Sequence, residues 1–434
     1  MKKTLTLAAL LTLSLGACNK EYLNPSTVSQ PQALGSSDGL ITVSNGLQAR
    51  YSTNGLLSVL YNSVALSGLS TRELLVLNEG NIEEANVGRG GGNINNANGV
   101  VRNLWTQANL VRSNADLLLA SVNPTVVTEP GTRSGIVAHA AIFRALALGQ
   151  LAQFFEKAAL VTQDNAPFVD RLEVLRSAVT QLEVAATQLA SAPVSAEFNS
   201  KIIPGIDLPN TVQALIARYS LLAGDYDKAL AAAARVDLTK RSVFNFDNVA
   251  RNPLFDTAFG NRNLFEPTDA NLGLSGALAP DPTDRRLPFL VRATPTATQN
   301  RGLGFYTAND AAIPVYLPGE ILLIRAEALA RKNDLPGAIT ELNKVRIKTA
   351  TPPTDPLGAG LPAYSGPVTP EAVLLEILRN RSIELAFLGF RLEDSRRFGR
   401  PGPGAPGAER NRNFYPYPRV ERENNPATPA DPVN

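Results

Sequence analysis

The chain has 434 residues, of which 44% are hydrophobic, so it is long enough to bury a substantial core in one large or two ordinary domains. Its 41 Lys and Arg residues against 39 Asp and Glu residues leave a formal charge of +2, without a long basic run. This balance gives no electrostatic footprint for a nucleic-acid partner, and none is predicted.

The N-terminus has the pattern of a bacterial lipoprotein export signal. Two lysines precede the apolar stretch Leu5 to Leu15, and the small residues Gly16 and Ala17 lead directly to Cys18. We therefore predict a signal peptide at 1–17, lipidation of Cys18, and a polar tether at 18–37 that carries the protein on a membrane. The alternative is an ordinary secretion signal beside a chance cysteine. Because Cys18 is the only cysteine in the sequence, no intramolecular disulfide can form.

Beyond residue 37 the dominant pattern is helical, since aliphatic residues and alanines recur at i, i+3, i+4 and i+7 while alternating patterns are weak. The spacing predicts an all-α fold. The predicted helices are Ile136 to Leu160, Val169 to Leu189, Val212 to Ala223, Tyr226 to Val236, Glu320 to Ala330, Ala338 to Ile347 and Ala372 to Leu388.

Two stretches, Ala217 to Leu230 and Ala326 to Ile339, match position by position. Each has a residue suited to a left-handed turn, an Asp that can cap the next helix, and an Ala that permits close helix approach. These residues are Gly224, Asp225 and Ala229 in the first stretch, and Asn333, Asp334 and Ala338 in the second. The match predicts tetratricopeptide (TPR)-like hairpins forming a curved scaffold over about 38–238 and 318–400, although any antiparallel helix pair could share this turn chemistry.

Three segments lack helical periodicity. Residues 239–317 are rich in Pro, Gly, Asn and scattered aromatics, which predicts a loop-rich, mostly irregular insertion. Asn78 to Gly99 contains a glycine run and several asparagines. Its glycine-rich part, residues 88–92, fits no phosphate-binding pattern, so residues 88–92 are predicted to be a flexible surface loop. The tail 400–434 is Pro-rich.

Taken together, the segments resemble the SusD/RagB family of nutrient-binding lipoproteins from the Bacteroidetes. The resemblance is most specific in the C-terminal third. It is carried by Cys18 to Pro25, Trp105 to Asn114, Phe143 to Leu146, Ala214 to Ala234, Pro318 to Arg346, Ile377 to Gly399 and Tyr415 to Pro426. Leu388 and Tyr417 depart from residues common in the family.

The resemblance implies a SusD-like helical domain at 38–434, on the outer membrane and surface-exposed. It implies capture of an oligosaccharide or other oligomeric nutrient and delivery to a SusC-like TonB-dependent transporter. A second hypothesis is a TPR-like scaffold that holds other proteins and binds no nutrient. Glycan-binding members commonly have aromatic contacts in the region of Asn78 to Gly99, which has none here, so a starch-like ligand is disfavoured.

The sequence offers little for catalysis. His139 is the only histidine and lies within an apolar pattern, so it is predicted to be a structural residue satisfied by hydrogen bonding. No enzyme activity, cofactor or metal is predicted. Glu79, Glu83 and Glu84 could serve a glycosidase, but a solvated acidic turn is the preferred interpretation. The charged helix around Arg381 is predicted to clamp the last helices together.

We predict the ligand surface where the Asn78 to Gly99 loop meets the insertion around two adjacent aromatic residues. Neighbouring glycines at 302 and 304 permit close backbone approach. The predicted ligand contacts are Asn93, Asn95, Asn96, Phe305 and Tyr306. The alternative is that Phe305 and Tyr306 only plug the insertion onto the helices.

Overall fold

The structure, a computed structural model, describes residues 29–434. The predicted signal peptide at 1–17, Cys18, and residues 19–28 of the predicted tether lie outside the described residues. The described end of the tether forms a short helix, Gln30–Leu34, with a proline in its first turn.

The described chain is mostly helical, with a few short strands. The helices are α1 (Gln30–Leu34), α2 (Ser37–Ser52), α3 (Val59–Ser70), α4 (Ile82–Arg89), α5 (Gly99–Ser121), α6 (Pro130–Phe154), α7 (Arg171–Ser191), α8 (Ala196–Lys201), α9 (Leu208–Leu222), α10 (Tyr226–Ala233), α11 (Leu287–Leu290), α12 (Pro318–Arg331), α13 (Leu335–Arg346), α14 (Pro370–Glu384), α15 (Arg391–Arg397) and α16 (Arg419–Asn424). The strands are β1 (Leu74–Val76), β2 (Lys157–Ala159), β3 (Phe168–Asp170), β4 (Val243–Phe244), β5 (Phe265–Pro267) and β6 (Ile313–Pro314).

The two predicted hairpins are confirmed as α9–α10 and α12–α13. Gly224 and Asn333 both have left-handed backbones, with φ of 81° and 65°. The side chain of Asp225 accepts from the Lys228 N–H at 3.1 Å, and Asp334 caps α13 through the Gly337 N–H at 3.0 Å. The alanines at 229 and 338 are fully buried, as close helix approach requires. The predicted all-α class is therefore confirmed.

Helix α6 forms the centre of the large core. It is long and apolar enough to cross a membrane, but 94% of its most apolar window is buried inside the protein, as in a core helix. The prediction of one helix from Ile136 to Leu160 is wrong at its C-terminal end. The helix ends at Phe154, and Lys157–Ala159 instead pairs antiparallel with Phe168–Asp170 as strands β2 and β3.

The insertion is mostly irregular, as predicted, and contributes to two small antiparallel sheets, one of which fastens it to the rest of the chain. Strand β5 pairs with β1, with Leu75 opposite Glu266. Strand β4 pairs with β6, which leads directly into α12. The β1–β5 sheet brings the insertion against the beginning of the Asn78 to Gly99 loop.

That loop contains regular structure that the sequence did not predict. Residues Ile82–Arg89 form α4, and Gly91–Asn93 form a 3-10 turn. The glycine run is held by the tail, because the Asn411 side chain donates to the Val87 and Gly88 carbonyls at 2.9 Å. A Cβ added to Gly90 would lie 2.5 Å from Asn411 Cγ, so the backbone and this side chain are closely packed. A flexible loop is therefore the wrong description of residues 88–92.

The predicted clamp between the last helices is present, and Glu393 pairs with Arg396 in it. Arg381 forms two hydrogen bonds with Asp394, at 2.9 and 3.0 Å. Glu384 instead binds Arg286 and Lys348, at 3.0 and 2.6 Å. Burial raises the pKa of Glu384, but the two cations outweigh it and hold the pKa below its ordinary value. Helix α14 ends at Glu384, before the predicted Leu388.

The C-terminal tail is part of the core. Tyr415 and Tyr417 are fully buried, and the hydroxyl of Tyr415 donates to the Leu66 carbonyl at 2.8 Å. The ring of Tyr417 packs edge-on against Trp105, with ring centroids 5.7 Å apart. Trp105 is 3% exposed and donates to Glu421, which confirms its predicted role in core packing.

Candidate functional site

The predicted asparagines lie on the turn between α4 and α5. Asn93 and Asn95 are exposed and Asn96 is half-buried. The Asn93 amide donates to the Gly90 carbonyl at 2.9 Å, and the Asn95 side chain accepts from the Ala97 N–H at 2.9 Å. These bonds shape the turn itself and leave the outer faces of Asn93 and Asn95 open to solvent.

The same turn is attached to the C-terminal tail. The Asn96 carbonyl accepts from the backbone N–H of Arg419 at 2.8 Å, and Arg412 donates to the Gly91 carbonyl at 2.7 Å. Within residues 29–434, no hydrogen bond joins Asn93, Asn95 or Asn96 to residues 305–306. The asparagines and the aromatic pair were predicted to form one surface, but the observed bonds connect Asn96 and Gly91 to the tail.

Tyr306 is 1% exposed, and its hydroxyl donates to the Phe387 carbonyl at 2.7 Å. Its ring meets Phe259 edge-on, with centroids 5.0 Å apart. Burial raises the pKa of Tyr306, and the nearby charge of Glu73 raises it further. This geometry supports the alternative interpretation, in which Tyr306 plugs the insertion onto the helices.

Phe305 differs from its neighbour because it is only half-buried. Its ring lies edge-on to the half-buried Phe289, with centroids 5.5 Å apart. Its carbonyl accepts from the Asn252 side chain at 2.9 Å, which fixes the backbone at this point. The insertion thus presents two adjacent, partly exposed rings, of which the sequence prediction named only Phe305.

The loop and the insertion do meet, but at the start of the loop. The Asn78 amide donates to the Asn263 side-chain oxygen at 3.0 Å, and the Asn81 amide donates to the Asn263 carbonyl at 2.8 Å. Directly beside them, the pairing of β1 with β5 continues as the Leu77 N–H donates to the Leu264 carbonyl at 2.9 Å. We call the surface formed by Asn78, Asn81 and Asn263 the loop–insertion junction.

The junction is polar and exposed at Asn78 and Asn263. The exposed pair Glu79 and Arg89 follows Asn78 along the loop, and exposed Arg262 precedes Asn263. Amide, carboxylate and guanidinium groups are the donors and acceptors that bind sugar hydroxyls. The sequence prediction covered Asn78 and Asn81 within the loop, but it missed Asn263, for which no local pattern exists.

The three glutamates considered for catalysis have structural partners. Glu79 is paired with Arg89, and the Glu83 carboxylate accepts from the Gly99 N–H at 2.6 Å, at the start of α5. Glu84 is buried and accepts from the Tyr61 hydroxyl at 2.8 Å. Burial raises the pKa of Glu84. Glu83 and Glu84 thus hold this part of the chain together, while Glu79 is exposed to solvent as the predicted acidic turn requires.

Residues 295–431 match the model of the SusD family. A solved SusD superfamily protein from Bacteroides fragilis has a TM-score of 0.69 and 17% identity, with 90% of this chain and 98% of that chain covered. A SusD-like carbohydrate binding protein from B. fragilis has a TM-score of 0.65 and 16% identity, with 92% of this chain and 100% of that chain covered. B. fragilis NanU has a TM-score of 0.68 and 15% identity, with 94% of this chain and 99% of that chain covered. No curated protein sequence matches the chain.

At these identities the structural similarities establish the fold. The resemblance predicted from the sequence is therefore confirmed. The C-terminal third matches the SusD family model, and the chain has the fold of SusD superfamily proteins.

Proposed function

We propose that this chain is a cell-surface lipoprotein that captures an oligosaccharide or another oligomeric nutrient and delivers it to a SusC-like TonB-dependent outer-membrane transporter. The match of residues 295–431 to the SusD family model carries the proposal. It is supported by a SusD-like fold over nine-tenths of the chain. The lipid anchor at Cys18 and the outer-membrane location rest on the N-terminal motif.

The proposed ligand surface is the loop–insertion junction together with the half-buried aromatic pair of the insertion. One similar solved protein is described as carbohydrate binding, which favours a sugar ligand. Exposed asparagines suit hydroxyl recognition, and Phe305 offers an apolar ring face for a pyranose. Asn93, Asn95 and Asn96 remain proposed contacts, while Tyr306 would act by holding Phe305 in position.

The proposal assigns no catalytic step. It is supported by the structural roles of Glu79, Glu83 and Glu84, each of which has a hydrogen-bonding or ionic partner. A glycosidase would instead need two carboxyl groups free to act on the glycosidic bond.

A ligand screen tests the proposal. Purified mature protein should be applied to panels of immobilised oligosaccharides and of peptides, and bound glycans should be recovered and analysed for cleavage. We expect retention of at least one nutrient class with its glycosidic or peptide bonds intact. Retention of none would favour the TPR-like scaffold, and cleavage products would favour a glycosidase.

A further inference from the structure

A cleft of about 620 Å³ lies between the insertion and the C-terminal helices. Its walls are insertion residues 273–278, helices α14 and α15, and the tail segment 400–409. We call it the arginine cleft because Arg72, Arg391 and Arg400 line it. Its volume falls within the range of about 300 to 1,000 Å³ that is typical of small-molecule sites.

The lining carries an excess of positive charge. Its one carboxylate, Glu409, is occupied by Arg400, whose Nε lies 3.0 Å from both carboxylate oxygens. This pair also joins the two ends of the tail segment across the cleft wall. Arg391 is paired with Glu73, which is not part of the lining, so Arg72 is the lining arginine whose charge no carboxylate of residues 29–434 neutralises.

Arg391 is 9% exposed and only partly satisfied. Its Nη2 donates to the Ser382 carbonyl at 2.9 Å and lies 3.1 Å from Glu73 Oε1. Its Nη1 donates to the Leu272 carbonyl. Its Nε–H has no partner within the described residues and is closed to solvent. Burial lowers the pKa of Arg391 and raises the pKa of Glu73, although the two are paired.

Arg72 is exposed and held in a left-handed backbone, with φ of 58°. This conformation is unfavourable for a residue with a side chain and is often found at functional sites. It is fixed by the Thr268 hydroxyl, which donates to the Arg72 carbonyl at 2.7 Å. Gly273 packs on the same carbonyl, since an added Cβ would lie 2.0 Å from its oxygen. Arg72 has no carboxylate within ion-pair distance in residues 29–434.

The remaining lining has both polar and apolar side chains. Ser382 and Ser395 contribute hydroxyl groups, while Leu274, Leu278 and Leu378 contribute apolar surface. Such a mixture suits a sugar ring, which has hydroxyls at its edge and C–H groups on its faces. Exposed Arg72 matches the charge of a carboxylate, which a guanidinium binds with strong, directional hydrogen bonds.

We infer that the arginine cleft binds an acidic sugar unit, such as a uronic acid, with its carboxylate at Arg72. The assignment of a sugar rests on the proposed function, and the preference for a carboxylate rests on the cleft itself. The cleft is a second site, separate from the loop–insertion junction, and it selects acidic glycans from neutral ones.

Isothermal titration calorimetry of the mature protein with galacturonate and galactose tests this inference, since the two sugars differ only in the carboxylate at C6. We expect galacturonate to bind roughly ten-fold or more tightly, because a charge-assisted hydrogen bond adds about that much affinity. Its affinity should fall as salt rises. Acetate, which has the carboxylate without the ring, should compete only weakly.

Variants locate the effect. Arg72→Gln should weaken galacturonate binding about ten-fold, and Arg72→Lys should recover part of it because the charge returns. The matched control is Arg176→Gln, which removes the same charge from exposed Arg176 on α7 and should change nothing. Thermal melts of the Arg72 variants should stay near that of the parent, since this side chain is exposed.

Equal affinity for the two sugars, or an equal loss with Arg72→Gln and Arg176→Gln, would overturn the inference. Acetate competing as strongly as galacturonate would overturn the assignment to a sugar. Binding of neutral and acidic glycans with equal affinity would refute the role proposed for the arginine cleft and leave the proposed function intact. Galacturonate bound by a protein that never associates with a transporter would refute the delivery step alone.

Discussion

His139 lies in the middle of α6 and is 1% exposed. Its Nε2 is 3.4 Å from the Gln48 side-chain oxygen, and its Nδ1 has no partner within residues 29–434. The predicted structural role is confirmed, but the expected hydrogen bonding is incomplete. Burial lowers the pKa of His139 to about 3, so the folded protein keeps the imidazole neutral well into the acidic range.

We predict that the free energy of unfolding falls as the pH drops below about 6.5, where only the unfolded chain protonates this histidine. The slope contributed by one group is at most about 1.4 kcal/mol per pH unit. His139→Gln should flatten the profile between about pH 6.5 and 5, which urea titrations at several pH values would measure. An unchanged slope in the variant would contradict the assignment.

The Glu384 carboxylate affects stability at lower pH than His139, and the two pH ranges can be distinguished. Lys348 and Arg286 hold the pKa of Glu384 below its unfolded value, so the stability it contributes is present above about pH 4.5. That contribution is lost as the pH falls through the folded pKa. It cannot account for a loss of stability that begins near pH 6.5.

Tyr306→Ala should lower the free energy of unfolding by about 3 to 5 kcal/mol, since it empties a buried aromatic site and leaves the Phe387 carbonyl without its donor. Denaturant unfolding would measure the loss. Half-buried Phe305 serves as the comparison, and Phe305→Ala should cost clearly less. A Tyr306→Ala variant of unchanged stability that no longer binds ligand would restore the contact role first predicted for this residue.

The roles of single residues could be predicted where their partners are close in sequence. Gly224 and Asp334 act within their own turns, so local turn and capping chemistry identified them. Asn263 could not be predicted, since its partner Asn78 is 185 residues away. Arg391 was included in the family resemblance, but nothing in the sequence indicated that it lines a cleft.

At the scale of elements, the helical hairpins depend on small residues at their contacts. We predict that Ala229→Trp destabilises the protein by about 1 to 3 kcal/mol, because this alanine is fully buried where α10 packs on its neighbours. Ala231→Trp places the same side chain on an exposed position of the same helix and should be nearly neutral. Thermal melts of the two variants would compare their stabilities. An equal loss of stability in both would argue against close hairpin packing.

Helical periodicity predicted which helices exist better than where they end. The pattern of α6 continues past residue 154, but the β2–β3 pairing takes over there. The left-handed Phe387 and Gly389, with φ of 61° and 84°, lie just beyond the end of α14. Helix α4 escaped prediction because it has only eight residues and lies between asparagines and glycines. This region is stabilised by tertiary contacts with the tail, and such contacts cannot be recognised from a local sequence pattern.

At the scale of the whole molecule, the N-terminal motif predicts where the protein resides. We predict that Cys18→Ala yields soluble, exported protein, since the residue that would carry the lipid is removed. Cell fractionation with mass spectrometry of the mature N-terminus would measure this. Membrane retention of the variant without a lipid adduct would exclude Cys18 as the anchor.

The overall architecture was predictable because repeated helical hairpins and the C-terminal motifs are local features. The proposed ligand surface was less predictable, since it is formed by segments that only the β1–β5 pairing brings together. Asn78 was within the predicted loop, whereas the contact of Asn96 with the tail depends on Arg419, more than three hundred positions later.

The central claim is that the loop–insertion junction captures a nutrient. Its most direct test is isothermal titration calorimetry of the parent, the double variant Asn78→Ala with Asn263→Ala, and the control Asn199→Ala, using the ligand retained in the screen. We predict that the double variant loses roughly ten-fold or more in affinity, as expected for two lost hydrogen-bonding groups, while Asn199→Ala, exposed on α8, binds like the parent. Parental affinity in a folded double variant would contradict the claim.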